Sequence, residues 1–360
     1  MKSKNKFIGL AALGLTLVFI VSGCTIKLGG GSATAEKVDG GIWKSIDSAE
    51  TWTQKVDVPL TGGKLASIAN IDVAKIALDP QDHNTIYLAT ETEGIIYSYD
   101  GGNSWQKFRS LNREKIRTVA VDPVFKCTLY ATTGNKLYKS NDCGRFWETP
   151  YFHQNNEVVL TTAVIDYVNR EVLYLGTSDG EILKSLDGGK TWTTVNYIKG
   201  VVIMDIIIDP NNHNFVYAAT DDKGIYRSSD SGATWESLAK SFKPFSSSNK
   251  YIGLVADKAT DGGLIHVSRY GMLRSTDRGD SWQAIELLPA PKNTSIYALA
   301  VSPKDSNEIY YSTGSSLVKT KDGGQSWSSQ ELPFKRLCKA IAIDFQETNI
   351  VYLAAFKARN

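Results

Sequence analysis

Histidine, cysteine and methionine are scarce in this chain, at 4, 4 and 3 of 360 residues. The histidines, His83, His153, His213 and His266, fall in different stretches without ligand spacing, and His83 and His213 occupy equivalent short turns, so no metal site is expected. Phosphate-cradling glycine loops are missing too: every Gly-Gly pair between Asp100 and Gln325 belongs to a repeated octet or a loop, and no cofactor is expected. Nothing in the repeat region reads as a long helix. The apolar run from Phe7 to Val21 is short for a membrane span.

What the chain has in quantity is one octet, Ser/Thr-x-Asp-x-Gly-x-Ser/Thr-Trp. Its aspartates are Asp47, Asp100, Asp142, Asp187, Asp230, Asp277 and Asp322, and five residues after each comes Trp52, Trp105, Trp147, Trp192, Trp235, Trp282 or Trp327. Spacings are 42 to 47 residues, with one wider first gap. Such a period denotes one supersecondary unit that must stack or close into a ring to bury its faces. Upstream of each octet but the first runs an apolar segment ending in Asp-Pro or a variant (Ile76 to Pro80, Val119 to Pro123, Ile206 to Pro210), then a tyrosine-bearing one (Ile86 to Thr90, Leu173 to Thr177, Val216 to Thr220). With a short alternating run and the tryptophan run, this predicts four antiparallel strands per unit, A to D, with the octet turning C into D.

The chain ends set the closure. Residues 41–56 supply a C strand, an octet and a D strand, while residues 340–356 supply an A and a B strand without an octet. Together they complete a unit. The expected fold is therefore all-β, a seven-bladed propeller of four-stranded antiparallel blades whose last blade is shared by both ends, a closure that removes free sheet edges.

The octet needs no ligand to explain it. The aspartate can accept turn amides, the glycine can take positive φ, and the tryptophan can fill space under the turn. The pattern resembles the Asp-box, or BNR, repeat of sialidases, sortilin-type receptors, xyloglucanases and the photosystem II stability/assembly factor family. That resemblance implies a structural box on the face away from any active site. Ala49 in place of glycine and Phe146 in place of Ser/Thr depart from it, and distorted turns are expected there.

At the N-terminus Lys2, Lys4 and Lys6 precede the apolar run, and Val21-Ser22-Gly23-Cys24 follows it. This resembles a bacterial lipoprotein signal, implying cleavage before Cys24, lipidation of Cys24 and anchorage to a membrane facing the periplasm or cell exterior. Residues 1–23 then form the leader, 24–40 a flexible tether and 41–360 the propeller. Loss of three leader lysines and no acids takes the net charge from +2 to −1, so nothing favours nucleic acid.

Function is expected on the face opposite the boxes, where the D to A connections differ between units. Arg109, Arg113, Lys115 and Arg117, beside Lys107, form the densest basic run and are answered in sequence by Glu114 alone; they are the candidate partner-binding residues, with a solvated loop as the plain alternative. A glycosidase needs two carboxylates flanking one bond. Near the axis Asp72 and Asp205 are the acids, and they differ in strand parity; a Phe/Tyr-Arg-Ile-Pro motif is missing, and there is one propeller where xyloglucanases have two. No catalytic residue is assigned. Cys127 and Cys143 fall at one end of a hairpin and are the candidate disulfide, leaving Cys338 free. A lipoprotein leader with boxes throughout resembles the photosystem II stability/assembly factor family and implies a binding scaffold. The expectation is a monomeric, membrane-anchored protein-binding or assembly scaffold without catalysis; the alternative is a glycan-binding or glycoside hydrolase propeller.

Overall fold

The tyrosine-bearing runs become the most deeply buried strands. Leu129–Thr133, Leu173–Thr177 and Val216–Thr220 are buried at every position, because each is the second strand of a blade whose two faces both pack against neighbouring blades. The outer strands are short and exposed by contrast, as at Gln106–Lys107 and Glu236–Ser237. The computed structural model describes residues 38–288 and 295–357. Cys24, the leader and the tether as far as residue 37 lie outside the described residues.

Seven four-stranded antiparallel sheets form the propeller. Blades 1 to 6 have their A strands at Val73–Asp79, Thr118–Val121, Leu160–Ile165, Ile203–Ile208, Tyr251–Asp257 and Ala298–Val301. Blade 7 is the shared one: Leu337–Ile343 and Val351–Phe356 supply A and B, Gly41–Ser45 and Thr53–Lys55 supply C and D, and Trp43 pairs with Leu353 on one side and Gln54 on the other. A single 3-10 turn, Leu238–Lys240, is the one helical element among the described residues.

The hydrophobic core lies between blades. One cluster joins Tyr174 and Ile182 of blade 3 to Ile206, Val216 and Ala218 of blade 4. Burying one such side chain is worth about 1.5–3 kcal/mol as an upper estimate.

Two features depart from the expected regular repeat. The wider first octet gap holds an added hairpin, Asp57–Pro59 with Leu65–Ser67. Five A strands also slip register against their B strands, at Val73/Lys75, Leu160/Thr162, Ile203/Asp205, Tyr251/Gly253 and Cys338/Ala340. A bulge rotates the side chains that follow it, so parity counted along the sequence fails across it.

Candidate functional site

Inside each octet the polar groups satisfy one another. In the fourth, Ser185 donates to Asp187 (2.8 Å) while accepting the Gly189 amide (2.9 Å), and Asp187 accepts the amides of Lys190 (3.0 Å) and Thr191 (2.8 Å) and the Thr191 hydroxyl (2.6 Å). The Thr191 hydroxyl, more than any other group, holds the Asp187 carboxyl down at about 2. Trp192 then caps the turn, donating to the Gly189 carbonyl at 2.9 Å. The two variant octets keep this geometry, contrary to the expected distortion. Ala49 adopts φ +67° and its amide still reaches Ser45 (2.9 Å), while the Phe146 amide still reaches Asp142 (2.9 Å) with only the hydroxyl contact missing. A backbone bond needs no particular side chain, which is why the turn survives both changes.

Each octet also meets the blade before it. Six blades carry Lys or Arg at the same C-strand position: Lys44, Lys139, Lys184, Arg227, Arg274 and Lys319. Five of them donate to the carbonyl just after the next blade's octet aspartate: Lys44 to Gly101 (2.9 Å), Lys139 to Gly188 (3.0 Å), Lys184 to Ser231 (2.6 Å), Arg227 to Arg278 (2.9 Å) and Lys319 to Ser48 (3.0 Å). Arg274 reaches the Ser306 carbonyl instead. Three B-strand tyrosines join the same carbonyls, Tyr352 at 3.2 Å, Tyr130 at 2.9 Å and Tyr174 at 2.6 Å. Their rings also lie beneath Lys44, Lys139 and Lys184, at 5.4, 5.2 and 5.6 Å. A cation over an aromatic face adds to the hydrogen bond.

A second tie uses the aspartate that ends an A strand. Asp122 pairs with Arg170 (2.7 Å), Asp166 with His213 (2.9 Å) and Asp344 with His83 (3.0 Å), each across a blade boundary. Asp209 lies 3.3 Å from Arg278, in ion-pair but not hydrogen-bond geometry. Asp257 accepts the Ser306 hydroxyl at 3.0 Å. His83 and His213, expected as turn residues, therefore also bridge neighbouring blades.

The boundary between blades 1 and 2 lacks both ties. Tyr97 stands where the other blades have Lys or Arg, and it turns aside to stack on Phe108 (4.3 Å) and donate to Gln106 (2.8 Å). No hydrogen bond joins Tyr87 to the Cys143 carbonyl, the counterpart of the capped ones, and burial pushes its hydroxyl above the ordinary value. Asp79 is fully buried, its Oδ2 has no hydrogen-bond partner, and burial pushes its carboxyl above the ordinary value. A groove of about 1080 Å³ opens here, with Asp79, Tyr87, Tyr97, Tyr99 and Phe108 in its wall and Arg109, Lys126 and Arg145 also lining it. It runs beside the third octet, on Cys143, Gly144 and Arg145, and so is not on the opposite face where function was expected. The signal for it was in the repeat itself, as a tyrosine at a position otherwise basic.

Of the predicted partner-binding residues, Arg109 lines this groove, Arg113 and Lys115 are exposed and Arg117 is half-buried. The basic run is less isolated than the sequence implied. Glu91 and Glu93, from the B to C turn, meet Lys115 (2.6 Å) and Lys107 (2.7 Å), and Glu114 accepts from Thr133 (3.1 Å).

At the axis both acids are engaged. Asp72 accepts from Arg336 (3.0 Å) and from the Lys357 amide (2.7 Å). Asp205 faces Lys75 at 3.8 Å and accepts from Thr162 (3.1 Å) and Tyr251 (3.3 Å). Burial, and then the Asp205 carboxylate, push the Tyr251 hydroxyl well above its ordinary value. Lys75 lies beside one of the bulges, and parity along the strand did not predict it. Beside the ends of the A strands a smaller cavity of about 300 Å³ is lined by apolar residues such as Val164, Ile207 and Leu254.

Cys127 and Cys143 are joined, with Cα atoms 4.0 Å apart, and Cys338 is a free buried thiol that burial pushes up to about 12. His153, Asp179 and Glu181 bring three ligand atoms within 4.8 Å of one another, a grouping the sequence did not suggest. Each is already hydrogen-bonded: His153 to Glu181 (3.1 Å) and the Asn155 carbonyl (3.2 Å), and Asp179 to Thr177 (2.6 Å).

Comparison with known proteins matches residues 180–258 to a family profile described as Sortilin-Vps10, "Sortilin, neurotensin receptor 3". Xyloglucanase Xgh74A of Acetivibrio thermocellus is 26% identical over 197 residues, covering 43% of this chain and 23% of the enzyme. A probable oligoxyloglucan-reducing end-specific xyloglucanase of Neosartorya fischeri is 27% identical over 172 residues, covering 42% and 21%. This chain thus spans less than a quarter of the length of the curated relatives it matches. Among solved structures, the GH74 xyloglucanase from Xanthomonas campestris superposes with TM-score 0.65 at 17% identity, over 87% of this chain and 52% of that one. YCF48 from Cyanidioschyzon merolae gives 0.61 at 14%, over 83% and 98%, and YCF48 bound to D1 peptide gives 0.62 at 14%, over 83% and 95%. At these identities what is shared is the seven-bladed propeller.

Proposed function

We propose that this chain is a lipid-anchored, extracytoplasmic propeller that binds a protein partner and carries out no catalysis. The observation that carries the reading is the state of the axial acids: Asp72 is held by Arg336, and Asp205 by Lys75, Thr162 and Tyr251. Glycoside hydrolysis calls for two carboxyl groups facing one bond, one of them free to give a proton. Support comes also from extent, since the YCF48 structures are matched over nearly their whole length and one of them holds a peptide, whereas the xyloglucanase structure is matched over half. On this reading Arg109, Arg113 and Arg117 present the cationic side of the molecule to the partner, and Cys24 carries the lipid.

The test compares wild type with the Arg109→Ala, Arg113→Ala, Arg117→Ala triple variant in affinity capture from detergent-solubilised membranes, with xyloglucan hydrolysis assayed in parallel. A stoichiometric protein partner lost in the triple variant supports the proposal; hydrolysis by the wild type, or capture unaffected by the variant, overturns it. Replacing Cys24 by Ala should release the protein from the membrane fraction. A glycan-binding reading draws on one observation, the aromatic wall of the groove, where Tyr97 and Tyr99 lie 4.9 Å apart and could stack on a sugar ring.

A further inference from the structure

We infer that the groove between blades 1 and 2 receives a lysine or arginine side chain of a partner polypeptide, which supplies from outside the cation that every other blade carries within itself. This inference rests on the protein-binding reading and names its site.

The argument is one of internal precedent. Lys44, Lys139 and Lys184 each sit over a B-strand tyrosine and donate to the carbonyl behind the next octet aspartate. The electrostatic influence of their own blades' A-strand aspartates is felt there as well, from Asp344 on Lys44 and from Asp166 on Lys184. Blade 1 retains the acceptor side of this arrangement. Tyr87 supplies the ring, Asp79 the carboxylate and Cys143 the equivalent carbonyl position, but Tyr97 brings no charge and has swung onto Phe108. What remains is a fully buried carboxylate oxygen without a partner beside a groove of about 1080 Å³. A buried acceptor left unmet carries a desolvation cost that a donor from a ligand removes. An ammonium or guanidinium between tyrosine faces gains a cation–π contribution besides.

The rim narrows the choice further. Arg109, Lys126 and Arg145 are exposed and repel a lone cation, so the basic side chain must arrive on a segment with acidic neighbours that meet these residues. A polypeptide can place both signs a residue apart. A neutral oligosaccharide would meet Asp79 through hydroxyls but would leave the rim charges unanswered.

The probe is a fluorescently labelled peptide, Glu-Glu-Lys-Glu-Glu, titrated by anisotropy into the full-length protein alongside the same peptide acetylated on lysine, which removes the charge and keeps the acidic flanks. We expect the unmodified peptide to bind at least about tenfold more tightly. Tyr97→Lys, which restores the residue type of the other blades, should fill the site internally and weaken peptide binding by a similar factor of about ten while raising the melting temperature. Asp79→Asn should weaken binding without loss of the fold. Equal binding of the two peptides, or unchanged binding to a folded Tyr97→Lys variant, overturns the assignment, as does displacement of the peptide by xyloglucan oligosaccharide. If Tyr97→Lys still captures the wild-type membrane partner, the groove assignment fails while the binding reading stands; hydrolysis of xyloglucan with no partner captured sinks the reading itself.

Discussion

The boundary between blades 3 and 4 and the boundary between blades 1 and 2 are built from the same repeat, yet they end in opposite states. At the first, Lys184 and Tyr174 converge on the Ser231 carbonyl and His213 meets Asp166. At the second, the corresponding position holds Tyr97, the Oδ2 of the corresponding aspartate has no hydrogen-bond partner, and a groove stands where the tie would be. A tyrosine at the repeated C-strand position and an A-strand aspartate with one unmet oxygen together separate the open seam from the closed one. Repetition therefore supplies stability generally, and function is to be sought where a single unit breaks the pattern.

That contrast can be broken most forcefully at the closed seam. Tyr174→Ala should cost about 3–5 kcal/mol, as for other fully buried aromatics, whereas Tyr97→Ala at the open seam should cost about 1–2 kcal/mol; chemical denaturation of both variants checks the ratio. Next in size is the disulfide flanking the open seam. It links positions 16 apart, Cys127 and Cys143, and reduction should cost about 3 kcal/mol in the chain-entropy account, read as a fall in melting temperature with dithiothreitol. Smaller and of opposite sign are two exchanges of the tie itself. Lys184→Met should lose about 1 kcal/mol, and Tyr97→Lys should gain up to about 1 kcal/mol; like signs for the two would contradict the equivalence of the positions.

The last comparison sets octets against each other. Asp47, Asp187 and Asp230 are held at about 2, chiefly by the hydroxyls of Thr51, Thr191 and Thr234. Asp142 is lowered first by the Phe146 amide, with no hydroxyl at that position. A folded value below the unfolded 3.8 means that the stability is present above that pH and lost as pH falls toward 2. Asp187→Asn should thus flatten the acid limb of the stability curve more than Asp142→Asn, and melting temperatures between pH 2 and pH 5, a range of roughly the usual carboxylate titration, will show the difference.

The fold was legible because it depends on local, repeated chemistry. An octet turn and a tyrosine-bearing strand look alike wherever they occur, and counting them at the two ends located the shared blade. The candidate site was legible only in part, because it depends on what the fold brings together. Glu91 and Glu93 answer Lys115 and Lys107 at separations of 24 and 14 residues that charge counting along the chain passed over. Asp205 meets Lys75 from 130 residues away, beside bulges that defeat a parity argument. Tyr97 was visible in the sequence, but its meaning required knowing that Lys139 and Lys184 at the same place reach into the next blade.

The shared blade has a consequence for how the molecule is made. Gly41–Ser45 can take its place in the sheet only after Val351–Phe356 exists to pair with it, roughly 300 residues later in synthesis. Closing so long a loop costs only slightly more entropy than closing a shorter one, but it cannot begin until Val351–Phe356 has been made. Until then Gly41–Ser45 lacks its partner strand, and the ring stays open at that edge.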